Sequence, residues 1–243
     1  MARIAPDVIE EYKRQAEYRR AWIGRGNADN NLFNILVPEA ICSGSVRLGS
    51  IFDGGKWICS PGNLPESCNI FSLGISGEAS FDTSIQTLTK MRCKIFGYEK
   101  DPNRLASDEY AKINGKSTAL SVAAETNLTL NAYTISDLMK KENINSIEIL
   151  KIDIEGYEFH VLLPFLEKHV VCQILIEIHG KPLDVVELLK MVSLHGYLLF
   201  HYEVNPAGKL AATEFSLIHE SCLKRYDAIK LSKYFSANDN IGR

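Results

Sequence analysis

The 243-residue sequence has no C-x-x-C pair, no G-x-G-x-x-G run and no apolar stretch long enough to cross a membrane. The first absence argues against a zinc site, whose ligands commonly come in such pairs. The second weakens a pyrophosphate-binding reading. The third leaves no candidate transmembrane helix. An excess of positive charge is missing too: 27 Lys and Arg against 30 Asp and Glu give a formal net charge of −3, which gives no basic footprint for general nucleic-acid binding. Residues 1–20 are charged and lack the apolar core of a signal peptide, so a cytoplasmic address is the expectation. Neither an internal repeat nor a low-complexity tract is present. What remains fits one α/β domain, expected over residues 45–243, with a helical extension over residues 1–44.

Six cysteines stand at positions 42, 59, 68, 93, 172 and 222. Cys93 and Cys172 open apolar runs and read as buried core thiols. Cys59 and Cys68 flank a Pro/Gly loop and would be bridged only in an oxidising compartment.

Residues 6–24 read as a charged amphipathic helix packed on a sheet edge, with Val8, Tyr12, Ala16 and Ile23 near one stripe. Residues 26–31 are polar and read as a linker. Short β-prone pieces over residues 45–59 surround the turn Asp53-Gly54-Gly55-Lys56-Trp57, where Lys56 and Trp57 would suit a charged or aromatic ligand. From Asn69 strands and helices alternate. Strands are expected over residues 69–73, 93–98, 117–123, 147–154 and 171–178. Thr134-Ile135-Ser136-Asp137 reads as a capped helix start. Pro182 and Gly196 bracket another helix. Residues 197–204 and 213–219, joined around Asn205-Pro206-Ala207-Gly208, read as a closing antiparallel hairpin. Alternation predicts a doubly wound, mostly parallel sheet. The hairpin separates it from a dinucleotide dehydrogenase, which would repeat its mononucleotide half.

The most informative stretch is Ile149-Leu150-Lys151-Ile152-Asp153-Ile154-Glu155-Gly156-Tyr157-Glu158. Its β-branched residues suit a strand buried on both faces. Asp153 and Glu155 then fall where such sheets bind ligands, beyond the carboxyl ends of the strands. In a regular strand they would point the same way, with Lys151. Glu177 and His179 repeat that spacing one strand later. Gly74-Ile75-Ser76-Gly77 follows the first strand, and glycines there let backbone approach a ligand. Glu99 closes the second strand, 22 residues after Gly77. An acid near that interval of about 20 residues accepts the ribose hydroxyls of an adenosine-containing cofactor.

Residues 134–138 followed by 149–158 (ILKIDIEGYE) resemble the FkbM-type methyltransferases, which carry a similar helix start and a K-I-D-x-E-G-x-E run on the fourth strand. The segments DGGKW at 53–57, FSLG at 71–74, QILIEIH at 173–179 and ATEFSLIH at 212–219 are similar to a eukaryotic methyltransferase-like branch. The resemblance covers residues 45–220. It implies a class I methyltransferase (Rossmann-like) fold and S-adenosylmethionine as cofactor. By motif, Gly74, Gly77 and Glu99 would line the cofactor, and Asp153 with Glu155 would border the reaction crevice. The usual richer glycine motif is missing, leaving Ser76 and Glu78 as substitutes at the methionine end.

The chain is therefore expected to be an S-adenosylmethionine-dependent methyltransferase that O-methylates a hydroxyl or carboxyl group. His179 or Asp153 is the expected base, and Asp153, Glu155 and Glu177 alternatively hold a divalent cation. The expected acceptor is a small molecule, sugar or lipid rather than a nucleic acid. The rival is a non-catalytic adenosine-ligand module on the same fold.

Overall fold

The computed structural model describes residues 4–25, 28–205 and 212–235. Seven strands form the central sheet: β1 (Cys68–Leu73), β2 (Cys93–Glu99), β3 (Gly115–Ala119), β4 (Ile149–Ile152), β5 (Gln173–His179), β6 (Tyr197–Val204) and β7 (Ala212–His219). Their order is β3-β2-β1-β4-β5-β7-β6, parallel except for β7, which runs antiparallel to both its neighbours. The helices are α1 (Pro6–Gly24), α2 (Ala28–Ile35), α3 (Ser80–Thr89), α4 (Ser107–Lys112), α5 (Ile135–Lys141), α6 (Glu158–Leu166) and α7 (Pro182–Leu194). This is the doubly wound, mostly parallel sheet that the alternation predicts, and its order with a single reversed strand is that of the class I methyltransferase fold that the resemblance implies.

Strand periodicity builds a core on each face of the sheet. Phe71, Leu150, Ile152, Ile174 and Ile176 face a layer containing Ile23, Leu138, Leu162 and Leu189. Ile70, Ile149 and Leu175 face the other, with Phe81, Ile85 and Tyr110. A short antiparallel ladder, Val46–Leu48 with Lys56–Ile58, lies on this second side. Both faces of β4 are buried, which is why its sequence reads as an unbroken β-branched run. Thr134 caps α5 as its motif predicts, its Oγ1 accepting the Asp137 amide at 3.1 Å.

Several expectations change. The linker expected at residues 26–31 is helical from Ala28 onward; residues 26 and 27 lie outside the described residues. Helix α2 forms because Leu32 and Ile35 join the core beside α7, a contact that its polar start does not announce. The expected third strand breaks at Leu120, and Ser121–Val122 pairs instead with Ala132–Tyr133. Strand β4 ends at Ile152, short of Asp153. The hairpin forms as read, although residues 206–208 of its turn lie outside the described residues. No helix of the described residues is long and apolar enough to cross a membrane.

The cysteines are a further correction. Three disulfides join Cys42–Cys59, Cys68–Cys93 and Cys172–Cys222, with Cα–Cα separations of 5.4, 4.5 and 5.5 Å. Cys93 and Cys172 are thus not free thiols, and Cys59 pairs with Cys42 rather than Cys68. Register is the reason: Cys68 and Cys93 stand opposite each other only once β1 and β2 pair. The three bridges lie towards the amino end of the parallel strands.

Candidate active site

The strand order reverses between β1 and β4, which opens the crevice beyond their carboxyl ends. Backbones meet tightly there. The Asp153 amide donates to the Leu73 carbonyl at 2.9 Å, and a Cβ on Gly74 would fall 1.7 Å from the Asp153 carbonyl oxygen. Glycine is required at 74 for that contact and for its φ of +76°. The loop is then pinned from β2. Glu99 is buried, and its carboxylate accepts the Ser76 amide at 2.8 Å and the Asp101 amide at 2.9 Å. Gly77 adopts φ +77°, and Glu78 accepts the Ser80 amide at 2.7 Å at the start of α3. The second Glu78 oxygen, Oε2, is buried with no hydrogen-bond partner among the described residues. Gly54 packs directly on it, which brings the 53–57 turn against the glycine loop.

Beyond Asp153 the chain turns sharply. Glu155 has φ +56° and Gly156 φ +95°, so Glu155 leaves the direction that a regular strand would give it and is largely exposed. Glu158 folds back instead. Its carboxylate accepts the amides of Ile154 at 3.0 Å and Gly156 at 3.0 Å, and lies 3.3 Å from His179 Nδ1. His179 Nε2 is 3.5 Å from Glu177 and 3.6 Å from Glu155. Glu177 and Glu214 are cross-strand partners on β5 and β7. The Lys56–Ile58 strand delivers Lys56 onto this pair: the buried ammonium contacts Glu214 and lies 3.8 Å from Glu177. Asp153, Glu177 and His179 offer donor atoms within 4.8 Å of one another, as do Asp53, Glu177 and Glu214.

The charges are strongly coupled. Burial pushes Asp153 up to about 6, against the pull of Lys56. The Glu158 hydrogen bond raises His179 to about 9, outweighing burial. Burial lifts Glu214 to about 8 despite Lys56. Burial opposes ionisation of Glu177, but contact with Glu214, Lys56, His179 and Asn205 holds it below the usual carboxylate range. Burial works to lower Lys56, yet Glu214, Asp153 and Glu177 keep it above its ordinary value.

The fold thus brings together Gly74, Ser76, Gly77, Glu78 and Glu99 on one side of the crevice, and Asp153, Glu155 and His179 on the other. Lys151 lies deeper, buried within electrostatic reach of Asp82 and Asp153. Trp57 is engaged within the protein: its ring stacks on His201 at 4.0 Å and its Nε1 donates to Glu203 at 2.8 Å. Sequence reasoning missed the roles of Glu158 and Glu214. The signal for Glu214 was a lone acid in its strand; that it stands opposite Glu177 follows only from register.

A family model described as a methyltransferase domain, Methyltransf_22, matches residues 6–219, and the chain belongs to that family. No curated protein is significantly similar to it in sequence. Solved structures of similar fold include the fibrillarin pre-rRNA processing protein of Methanococcus jannaschii, at 11% identity and a TM-score of 0.48, covering 76% of this chain and 96% of that one. The Aeropyrum pernix fibrillarin with bound S-adenosyl-L-methionine gives 12%, 0.45, 73% and 84%. TrmK of M. capricolum, with S-adenosyl-homocysteine, gives 12%, 0.46, 73% and 70%.

Proposed function

We propose that the chain is an S-adenosylmethionine-dependent methyltransferase acting on an oxygen acceptor. One observation carries the reading: in a methyltransferase-family chain, a partly buried carboxylate–imidazole–ammonium cluster lies directly against a glycine loop at the sheet's switch point. The cradle suits the cofactor. Glu99 stands where an acid accepts ribose hydroxyls, and each of its oxygens retains a lone pair beside its backbone bond. Glu78 Oε2 is a buried acceptor matched to an α-ammonium group. Bound there, the cofactor supplies a methyl group on a sulfonium.

The protein's own task is positioning and proton transfer. At neutral pH His179 is protonated, because its pKa lies near 9, so it is a poor proton acceptor. Asp153, near 6, is ionised and poised to accept the acceptor hydroxyl's proton as the oxygen attacks. The imidazolium, held by Glu158, orients that oxygen by hydrogen bonding. Turnover should rise as pH increases through about 6 and fall as His179 deprotonates near 9. Calorimetry tests the binding half. Glu99→Ala should weaken binding of cofactor or its demethylated product by about ten- to a hundredfold. Unchanged affinity in a folded variant would refute the ribose role.

A divalent cation at Asp153, Glu177 and His179 is the second reading, favoured by their donor spacing. Lys56 and protonated His179 already offset Asp153 and Glu177, while Glu214 keeps its proton to about pH 8, so the cluster balances without an ion. Turnover is expected to survive excess chelator; loss that added Mg²⁺ restores would reverse this choice. Cofactor binding with no turnover of any acceptor would leave the non-catalytic module. On location, three disulfides favour an oxidising compartment over the cytoplasm.

A further inference from the structure

The chain contains one Asn-X-Ser/Thr triplet in which X is not proline: Asn127-Leu128-Thr129. Such a triplet is the acceptor for N-linked glycosylation when it lies on a surface loop of a chain that enters a secretory compartment. Separate observations meet the two conditions. Residues 124–131 are all exposed. Their loop follows β3 and closes on itself, Asn127 and Ala132 exchanging backbone hydrogen bonds of 2.8 and 3.0 Å. Thr126 Oγ1 donates to Asp137 at 2.6 Å and Asn131 Nδ2 to the Ala119 carbonyl at 2.8 Å, which fixes the base of the loop beneath its exposed tip. The second condition rests on the oxidising compartment read above from the disulfides: every cysteine is bridged, as in chains that mature outside the reducing cytosol.

The side chains of the triplet are set out for modification. Asn127 Oδ1 accepts the amides of Thr129 at 3.1 Å and Leu130 at 3.2 Å. Oxygen and nitrogen diverge from the same amide carbon, so Nδ2 is turned away from that backbone. Neither Nδ2 nor the Thr129 hydroxyl has a hydrogen-bond partner among the described residues. The turn explains the oxygen alone. Aspartate or serine at 127 would accept the same amides, and any residue but proline at 129 would supply one. The amide nitrogen and the Thr129 hydroxyl are the two groups that the turn does not need and the triplet does. Attachment at Nδ2 leaves Oδ1 a carbonyl oxygen, so the glycosylated residue keeps both hydrogen bonds and the loop keeps its shape. Asn103 and Asn114 are exposed as well, but Leu105 and Lys116 stand where a triplet would place its hydroxyl.

We propose that Asn127 carries an N-linked glycan. Its Nδ2 attacks the anomeric carbon of an oligosaccharide borne on a polyprenyl pyrophosphate. The bond from Nδ2 to that carbon forms, and the bond from that carbon to the pyrophosphate oxygen breaks. The pyrophosphate leaves with the electron pair, and the amide gives up one proton. The glycan stands on the β3 edge of the carboxyl rim, across the crevice from Asp153, Glu177 and His179.

The test directs the full chain into the endoplasmic reticulum of cultured eukaryotic cells behind a cleavable signal peptide. Intact mass is read before and after peptide N-glycosidase F, beside thiol alkylation. One glycan should be released, leaving aspartate at 127. Thr129→Ala, which keeps the Asn127 turn, should lose the glycan completely, and Thr129→Ser should retain it. Neither variant should change cofactor affinity. A lumenal chain with its thiols bridged and no glycan overturns the proposal, as does a glycan that Thr129→Ala retains. The same two readings on protein from the source organism separate the site from its compartment. Bridged thiols without a glycan overturn the glycosylation alone. Free thiols without a glycan overturn both, and a glycan at Asn127 beside free thiols upholds the site while removing the disulfides.

Discussion

At the amino end of the parallel strands, three disulfides tie the short ladder to its leading segment, β1 to β2, and β5 to the segment after β7. Gln173 exchanges two hydrogen bonds with the Cys59 backbone at 2.8 and 2.9 Å. Glu39, buried, accepts the amides of Leu199 at 3.1 Å and Tyr234 at 2.9 Å. Here the ion pairs, Arg225 with Glu148 and Lys230 with Glu220, are part-exposed, and each buried polar group named is met by backbone. At the carboxyl end, Asp153, Glu177, Glu214, Lys56 and His179 crowd one side of the crevice. The contrast teaches a division of labour. One end holds the strands in register, and the other carries titratable groups that a fold would otherwise avoid burying.

The sharpest way to break this division is Asp153→Asn. If the carboxyl end serves chemistry, turnover should fall by about 10²–10⁴-fold with little change in melting temperature, read by methyl-transfer assay beside a thermal melt. A loss of folding instead would make the cluster structural. The mirror experiment replaces Cys172 and Cys222 by serine. Releasing a bridge that spans 50 residues should cost about 4 kcal/mol of stability in denaturant titration while leaving cofactor affinity unchanged. Glu39→Ala gives a smaller loss, about 2–3 kcal/mol at pH 5. Burial pushes Glu39 up to about 7 against its backbone hydrogen bonds. Because its pKa is raised on folding, its contribution is complete below the ordinary carboxylate range and is lost as pH rises through about 7. The gap between wild type and variant should therefore narrow from pH 5 to pH 8; a constant gap would contradict the shift. The smallest effect belongs to Thr134→Ala, about 1 kcal/mol for a lost helix cap, with no change in kcat.

Local signals and tertiary ones were unequally legible. The inner strands of the central sheet were readable because burial on both faces leaves an apolar run, whereas edge strand β3, Gly-Lys-Ser-Thr-Ala and only partly buried, was not bounded correctly. The closing hairpin was readable because two β-prone runs flank turn residues. The crevice was readable by position: Glu99 ends a strand, and Gly74 and Asp153 each follow the last residue of one. Whatever depends on which strands pair was not. Cys68 meets Cys93, and Glu214 meets Glu177, only through register. Residues 28–31 look like a linker until α7 offers Leu32 and Ile35 a surface. The turn at Glu155 hid in a stretch that alternates like a strand, and so gave Glu155 a prominence that Glu158 shares.

The three bridges have a consequence for biosynthesis. Every cysteine of the chain is committed to one partner, and six thiols admit fifteen pairings, so oxidation before the sheet has assembled can trap a wrong one. Cys68 and Cys93 are brought together by the strand pairing itself, which makes correct oxidation a product of folding rather than its guide. Recombinant protein made in a reducing cytosol would emerge as a hexathiol, and export to an oxidising periplasm with an isomerase present is the route to native material.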